Sequence, residues 1–257
     1  MPAATTTTLS PSAPLHGLLI RLRNAWHAFA QERANARSGT IHSPVWNPWQ
    51  IFWGEAYGLD LKRWLLKPVF ENLEQEGKIG GLIVDVGSGA QPVTRFIQAL
   101  PGRKRIFVDI AADNTGTGDE QKIRMDVEKA GEPAALSFRK AMVRVCRFLD
   151  VAPGRSGPAK GADMMVFADL LNYVDFRKVL RGFGNYLKPG GRMVIVNLPM
   201  RGNQSLFSDK GLKDNRELYE FLQEHRFEIE HKSFPCRDPK ATDEAEELIV
   251  LVARKAA

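Results

Sequence analysis

Cysteine is nearly absent. The 257-residue chain has only Cys146 and Cys236, far apart and outside any C-x-x-C spacing. Two cysteines cannot build a disulfide framework for a chain this long. The histidines, His16, His27, His42, His225 and His231, show no H-E-x-x-H or similar ligand spacing, so no metal is expected. No apolar run approaches the roughly 20 residues of a membrane span, and the run at 18–20 is too short for a signal-peptide core. A soluble, cytoplasmic protein without membrane partners is the expectation. Internal repeats are missing as well. Nor is one charge sign dominant: 36 basic against 30 acidic residues leave +6, which suits an anionic partner without demanding one.

What is there belongs to an ordinary globular chain, 44% hydrophobic and 26% charged. It is long enough to bury a core without staples. Residues 1–14 are rich in Thr, Ala and Pro and read as a disordered tail. Residues 15–79 read as a helical, Trp-rich N-terminal segment. Leu15, Leu18, Leu19, Leu22, Trp26 and Phe29 recur at helical spacing, for packing on the main body or for a membrane surface or partner. Trp46, Trp49 and Trp53 cluster before Tyr57, and exposed tryptophans are costly. They either pack this segment onto the body or form a lid over a flat, apolar pocket. A second helix is expected from Leu59 to Leu73, kinked or broken at Pro68.

From residue 80 the pattern alternates. Strands are expected at 82–86, 105–110, 123–127, 164–167, 192–197, 227–231 and 247–253, with helices after most of them. A helix follows Pro92 as far as Pro101-Gly102. Another spans 133–150, and Pro189-Gly190-Gly191 stops the helix that starts near Phe176. This alternation implies a doubly wound α/β domain over 80–257. The missing helix between the last two strands implies an antiparallel hairpin at one edge.

In such a sheet, ligands sit at the carboxyl ends of the strands. The first strand runs into Asp85-Val86-Gly87-Ser88-Gly89, a tight turn close to which a ligand can approach. A carboxylate there repels a pyrophosphate, and Pro92 stands where a third dinucleotide-site glycine belongs. Asp85 suits an amino group, Asp109 a ribose diol, and Asp126 with Val127 an adenine and its amine. S-adenosylmethionine carries all three groups. An acid taken alone at a strand end is more often a cap or turn former, and for Asp126 alone cap and ligand read equally well.

D-V-G-S-G at 85–89, V-D-I at 108–110, M-D-V-E at 125–128, D-L-L-N-Y-V at 169–174 and L-K-P-G-G-R at 187–192 together resemble the motifs of class I S-adenosylmethionine-dependent methyltransferases. The resemblance implies a seven-stranded, mostly parallel sheet of order 3-2-1-4-5-7-6. It implies a cofactor site of Asp85, Gly87, Ser88, Gly89, Asp109, Ile110, Asp126 and Val127, with Gln91 replacing a frequent third glycine. Asp169 lies near the transferring methyl or caps the next helix. Trp53 or Tyr57 reaches the cofactor. Asn172 and Tyr173, with Trp46 and Trp49, are candidates to face the substrate, although Tyr173 fits a core position equally. Residues 199–207 are a second candidate substrate loop. No Asn/Asp-Pro-Pro-Tyr/Phe motif follows the fourth strand, which tilts the acceptor toward a small metabolite. The rivals are an RNA methyltransferase, drawing on Arg139, Lys140, Arg144 and Arg147, and a non-catalytic binding protein of the same fold. No accessory RNA-binding motif appears. A general base is not identified, and homo-oligomerisation stays open.

Overall fold

The computed structural model describes residues 59–89, 92–97, 100, 102–110, 116, 119–131, 161–199, 208–235, 244–245 and 247–256. The tail at 1–14, the Trp-rich stretch, Gln91, the helix expected at 133–150 and residues 200–207 lie outside them.

The described chain begins with helix α1 (Leu59–Gln75). Strands β1 (Leu82–Val86), β2 (Lys104–Asp109), β3 (Glu120–Arg124) and β4 (Ala162–Ala168) follow. Then come α2 (Phe176–Gly184), β5 (Leu187–Asn197), α3 (Asn215–Glu224), β6 (Phe227–Ser233) and β7 (Ile249–Lys255). The seven strands form one sheet of order β3-β2-β1-β4-β5-β7-β6. Pairing is parallel from β3 to β5, and β7 runs antiparallel between β5 and β6. The sheet order implied by the resemblance and the edge hairpin both hold.

Strand residues alternate between two buried layers, the arrangement of a sheet covered on both faces. Ile83, Met164, Val166, Val194, Val196, Val250 and Val252 share one core with Leu65, Leu66, Val69, Phe70 and Leu73 of α1. Those helix positions fall at the spacing of one face. On the other side, the Phe167 ring meets Phe183 of α2 edge-on at 6.1 Å, and Phe176 meets Phe221 of α3 at 6.2 Å. Asp175 caps α2 by accepting from Lys178 N–H, and Asp214 caps α3 by accepting from Arg216 N–H. The exposed edge strand β6 is charged, with Glu230 paired to Arg192 at 2.7 Å and Glu228 paired to Arg254. Charge on an edge discourages pairing with a foreign strand.

Four local expectations change. Pro68 does not break α1. It is exposed, as is Trp64 one turn earlier, so water can serve the carbonyl that Pro68 leaves without a donor. The segment after Pro92 is a 3-10 turn at Val93–Phe96 that ends in extended backbone at Ile97. Strand β3 lies three residues earlier than its apolar residues imply, because pairing with β2 enlists Glu120, Gln121 and Lys122. Pro189-Gly190-Gly191 falls within β5, where a register shift against β4 absorbs the extra residues and Gly190 takes φ 76°.

The amino ends of the strands are tied by Asp163. Its Oδ2 accepts from Gly81 N–H at 3.0 Å and Leu82 N–H at 2.8 Å, and its Oδ1 pairs with Lys188 at 2.8 Å. Gly80 must be glycine here: φ is 76°, and a Cβ would stand 2.3 Å from Asp163 Cβ. Asp163→Ala should therefore cost about 1.5–3 kcal/mol, the range for hydrogen bonds to a charged group. Chemical denaturation will show it. The carboxyl-end ligand site should keep its affinity, and a loss of ligand binding equal to the loss of stability would refute this separation.

Candidate active site

Chain winding reverses between β1 and β4, so the crevice expected for a ligand opens at their carboxyl ends. Asp85, the penultimate residue of β1, is 2% exposed. Its Oδ2 accepts from Thr94 N–H at 3.2 Å and from Thr94 Oγ1 at 2.9 Å. Ile83 packs under α1, and Asp85, two residues on, faces the same side. Burial pushes the Asp85 carboxyl up to about 6 despite the opposing pull of both Thr94 bonds and of Lys62.

The turn after β1 is built from backbone. Gly87 and Ser88 N–H groups both donate to Val108 O, at 2.8 and 3.2 Å. Gly87 and Gly89 have φ of 67° and 63°, open to glycine at little cost. Gly89 N–H donates to Asp109 Oδ2 at 2.9 Å, so the buried acid ending β2 pins the turn ending β1. A Cβ on Gly87 would lie 2.6 Å from Leu170 Cδ1, which puts the glycine turn against the segment after β4.

Asp126 and Val127 come after β3. Asp126 Oδ1 accepts from Glu128 N–H at 3.0 Å and caps the 3-10 turn Val127–Lys129. The cap reading of this acid is realised, and its Oδ2 lies 3.8 Å from Lys129 Nζ. Ile110 follows β2, and its carbonyl accepts from Arg124 Nε at 3.1 Å. Asp169, directly after β4, takes φ 56°, a left-handed conformation that Asp tolerates better than most residues. It does not cap α2; Asp175 does. Burial pushes its carboxyl up, and Lys62 of α1, 3.6 Å away, pulls it down.

Asn172 is 1% exposed, and its amide is spent inside the protein. Nδ2 donates to Leu198 O at 2.8 Å, and Oδ1 accepts from Asn197 Nδ2 at 2.9 Å. It ties the β4 loop to the end of β5. Tyr173, 9% exposed, takes a core position. Trp46, Trp49, Trp53 and Tyr57 lie outside the described residues. Lys62, Thr94 and Asn197 escaped the sequence reading. Only Lys62 left a trace there, as a cation three and four residues before the core leucines Leu65 and Leu66. Among the described residues, no group of three or more His, Cys, Asp or Glu could hold a metal ion, and no helix is long and apolar enough to cross a membrane.

No protein-family model matches the chain, and no curated protein matches it. Solved structures do. The carbon methyltransferase CurJ is similar at a TM-score of 0.56 and 14% identity, over 98% of this chain and 72% of that one. An S-adenosylmethionine-dependent methyltransferase from Clostridium acetobutylicum is similar at 0.50 and 12% identity, over 82% and 99%. The plantazolicin methyltransferase BpumL, solved in complex with a triazolic desmethylPZN analogue and SAH, is similar at 0.50 and 14%, over 88% and 96%. The fold is that of class I methyltransferases.

The raised Asp85 has a consequence for stability. An unfolded chain loses this proton near the ordinary value of 3.8, the folded one only near 6. Folding stability therefore falls as pH rises through that window, by about 3 kcal/mol for the full shift. Asp85→Asn keeps an acceptor for Thr94 and removes the buried charge. Melting curves should show the variant gaining on the natural protein between pH 4 and 7.5, with no further gain above. A constant difference across that range would mean that Asp85 titrates normally.

Proposed function

We propose that this chain is an S-adenosylmethionine-dependent methyltransferase acting on a small, aromatic or apolar metabolite at oxygen, nitrogen or carbon. The observation that carries the reading is the pair of buried acids, Asp85 and Asp109, set around a left-handed glycine turn at the switch point of the sheet. A buried carboxylate raised to about 6 is a standing cost to the free protein, and such a cost is characteristic of sites that await a cationic ligand. It speaks against a pyrophosphate in the same turn.

The residues fit the cofactor. Asp85 would take the ammonium, Asp109 the ribose diol, and Asp126 the exocyclic amine, with Val127 beside the adenine. Gly89 leaves open space where any side chain would intrude, with no heavy atom within 4 Å of a Cβ built there. When bound, S-adenosylmethionine supplies a methyl already activated by a sulfonium. The chain's own task is then to position the acceptor in line and to exclude water. The bond from Asp109 to Gly89 N–H holds the glycine turn in shape before any ligand arrives, so little ordering is left for binding.

A small acceptor is favoured by the modest net charge of +6 and by the Trp-rich stretch before α1. The plantazolicin methyltransferase, one structural neighbour, was solved in complex with a triazolic desmethylPZN analogue and SAH. Calorimetry should detect S-adenosylmethionine and S-adenosylhomocysteine but not NAD. Asp109→Ala should weaken both by roughly 10- to 100-fold. Tight NAD binding, or indifference to Asp109→Ala, defeats the cofactor assignment.

The acceptor class is tested separately, by offering labelled cofactor with total RNA and with a metabolite extract at low and at physiological salt. An RNA substrate held by several phosphates would lose about 0.7 in log affinity per contact per decade of salt. A pocket closing on an apolar ring would not. Label is expected in a small molecule at both salt levels. Label entering one RNA position at physiological salt, ahead of every small molecule, would reverse the acceptor class.

A further inference from the structure

A methionine-derived cofactor ends in a zwitterion, with ammonium and carboxylate on the same carbon. The acids at the strand ends suit its ammonium, diol and amine. Its carboxylate, brought among Asp85, Asp109 and Asp169, meets only like charge unless a cation stands close by.

Lys62 is such a cation. It lies in the first half of α1, three, four and seven residues before Leu65, Leu66 and Val69, which pack on the sheet. That spacing puts it on the face turned toward β1. Its Nζ is 3.6 Å from Asp169 Oδ2, and its charge also acts on Asp85. Asp85 lies near the end of β1 and Asp169 directly after β4, and these two strands are paired neighbours. Leu170, next to Asp169, closes on Gly87 of the glycine turn. The Lys62 side chain is 22% exposed and so remains open to a ligand. An ammonium carries three donors, more than one carboxylate at 3.6 Å engages.

Resting on the cofactor reading above, we propose that Lys62 binds the carboxylate of the cofactor's amino-acid end, and that Asp169 is a positioning residue that holds the Lys62 ammonium in the crevice. Asp169 accordingly spends a left-handed backbone conformation on a residue that no substrate atom need touch.

The test is titration calorimetry with two ligands. S-adenosylhomocysteine has the amino-acid end; 5′-methylthioadenosine keeps the adenine, ribose and thioether without it. Lys62→Met should weaken S-adenosylhomocysteine about 10- to 100-fold and leave methylthioadenosine within about twofold. Lys62→Arg should keep most of the affinity, and Asp169→Asn should lower the ratio of the two affinities by a smaller factor than Lys62→Met does. Melting curves run alongside report whether each variant is folded. An unchanged ratio in Lys62→Met, a tighter S-adenosylhomocysteine complex, or an equal loss for both ligands overturns the assignment of Lys62 and leaves the cofactor reading standing. If the natural protein binds neither S-adenosylmethionine nor S-adenosylhomocysteine, the cofactor reading falls, and the role of Lys62 with it.

Discussion

Asp85 holds a carboxylate inside the sheet, only 2% exposed, and much of the site follows from how that charge is accommodated. Thr94 supplies both donors, so the chain must double back within nine residues of the strand. Only a tight turn allows this, and Gly87 and Gly89 provide it with left-handed backbone. The turn is pinned in its turn by Val108 O and by the carboxylate of Asp109. Two acids on adjacent strands thus meet at the turn of residues 87–89, at the carboxyl ends of those strands.

The two ends of the sheet divide the work. At the amino ends Asp163 satisfies the backbone of Gly81 and Leu82 and pairs with Lys188, an arrangement that only stabilises. At the carboxyl ends the groups are costly: a buried Asp85 held near 6, and an Asp169 with both backbone and carboxyl out of their comfortable range. Cost concentrated on one rim of an otherwise well-packed sheet is the pattern expected of a binding site.

Helix α1 belongs to both functions. Its apolar stripe buries Leu66 and Phe70 completely against β1, β4 and β5. The same stripe, continued toward the helix start, carries Lys62 to the crevice. The core of the sheet thus draws on residues before 80, where the periodicity of strands begins. The buried amide pair Asn172–Asn197 plays a comparable part on the far side of the crevice, joining the β4 loop to β5. A residue that looked free to meet substrate turns out to hold the frame.

The amino-acid sequence by itself determined the alternation of strands and helices, the edge hairpin, and the acids that end β1 and β2. These are local: a short apolar run bounded by glycine is a buried strand wherever it is placed, and β1 spans the residues that its run implies, 82–86. The sequence was a poorer guide where pairing overrules propensity, as in β3, whose polar half is drawn into the sheet by β2. Only the tertiary structure decided the partners: Thr94 for Asp85, Gly89 for Asp109, Lys62 for Asp169, Asn197 for Asn172. Such pairings depend on which faces of separate elements meet across the core. No period along the chain encodes that, because side-chain charges act through space and not along the sequence.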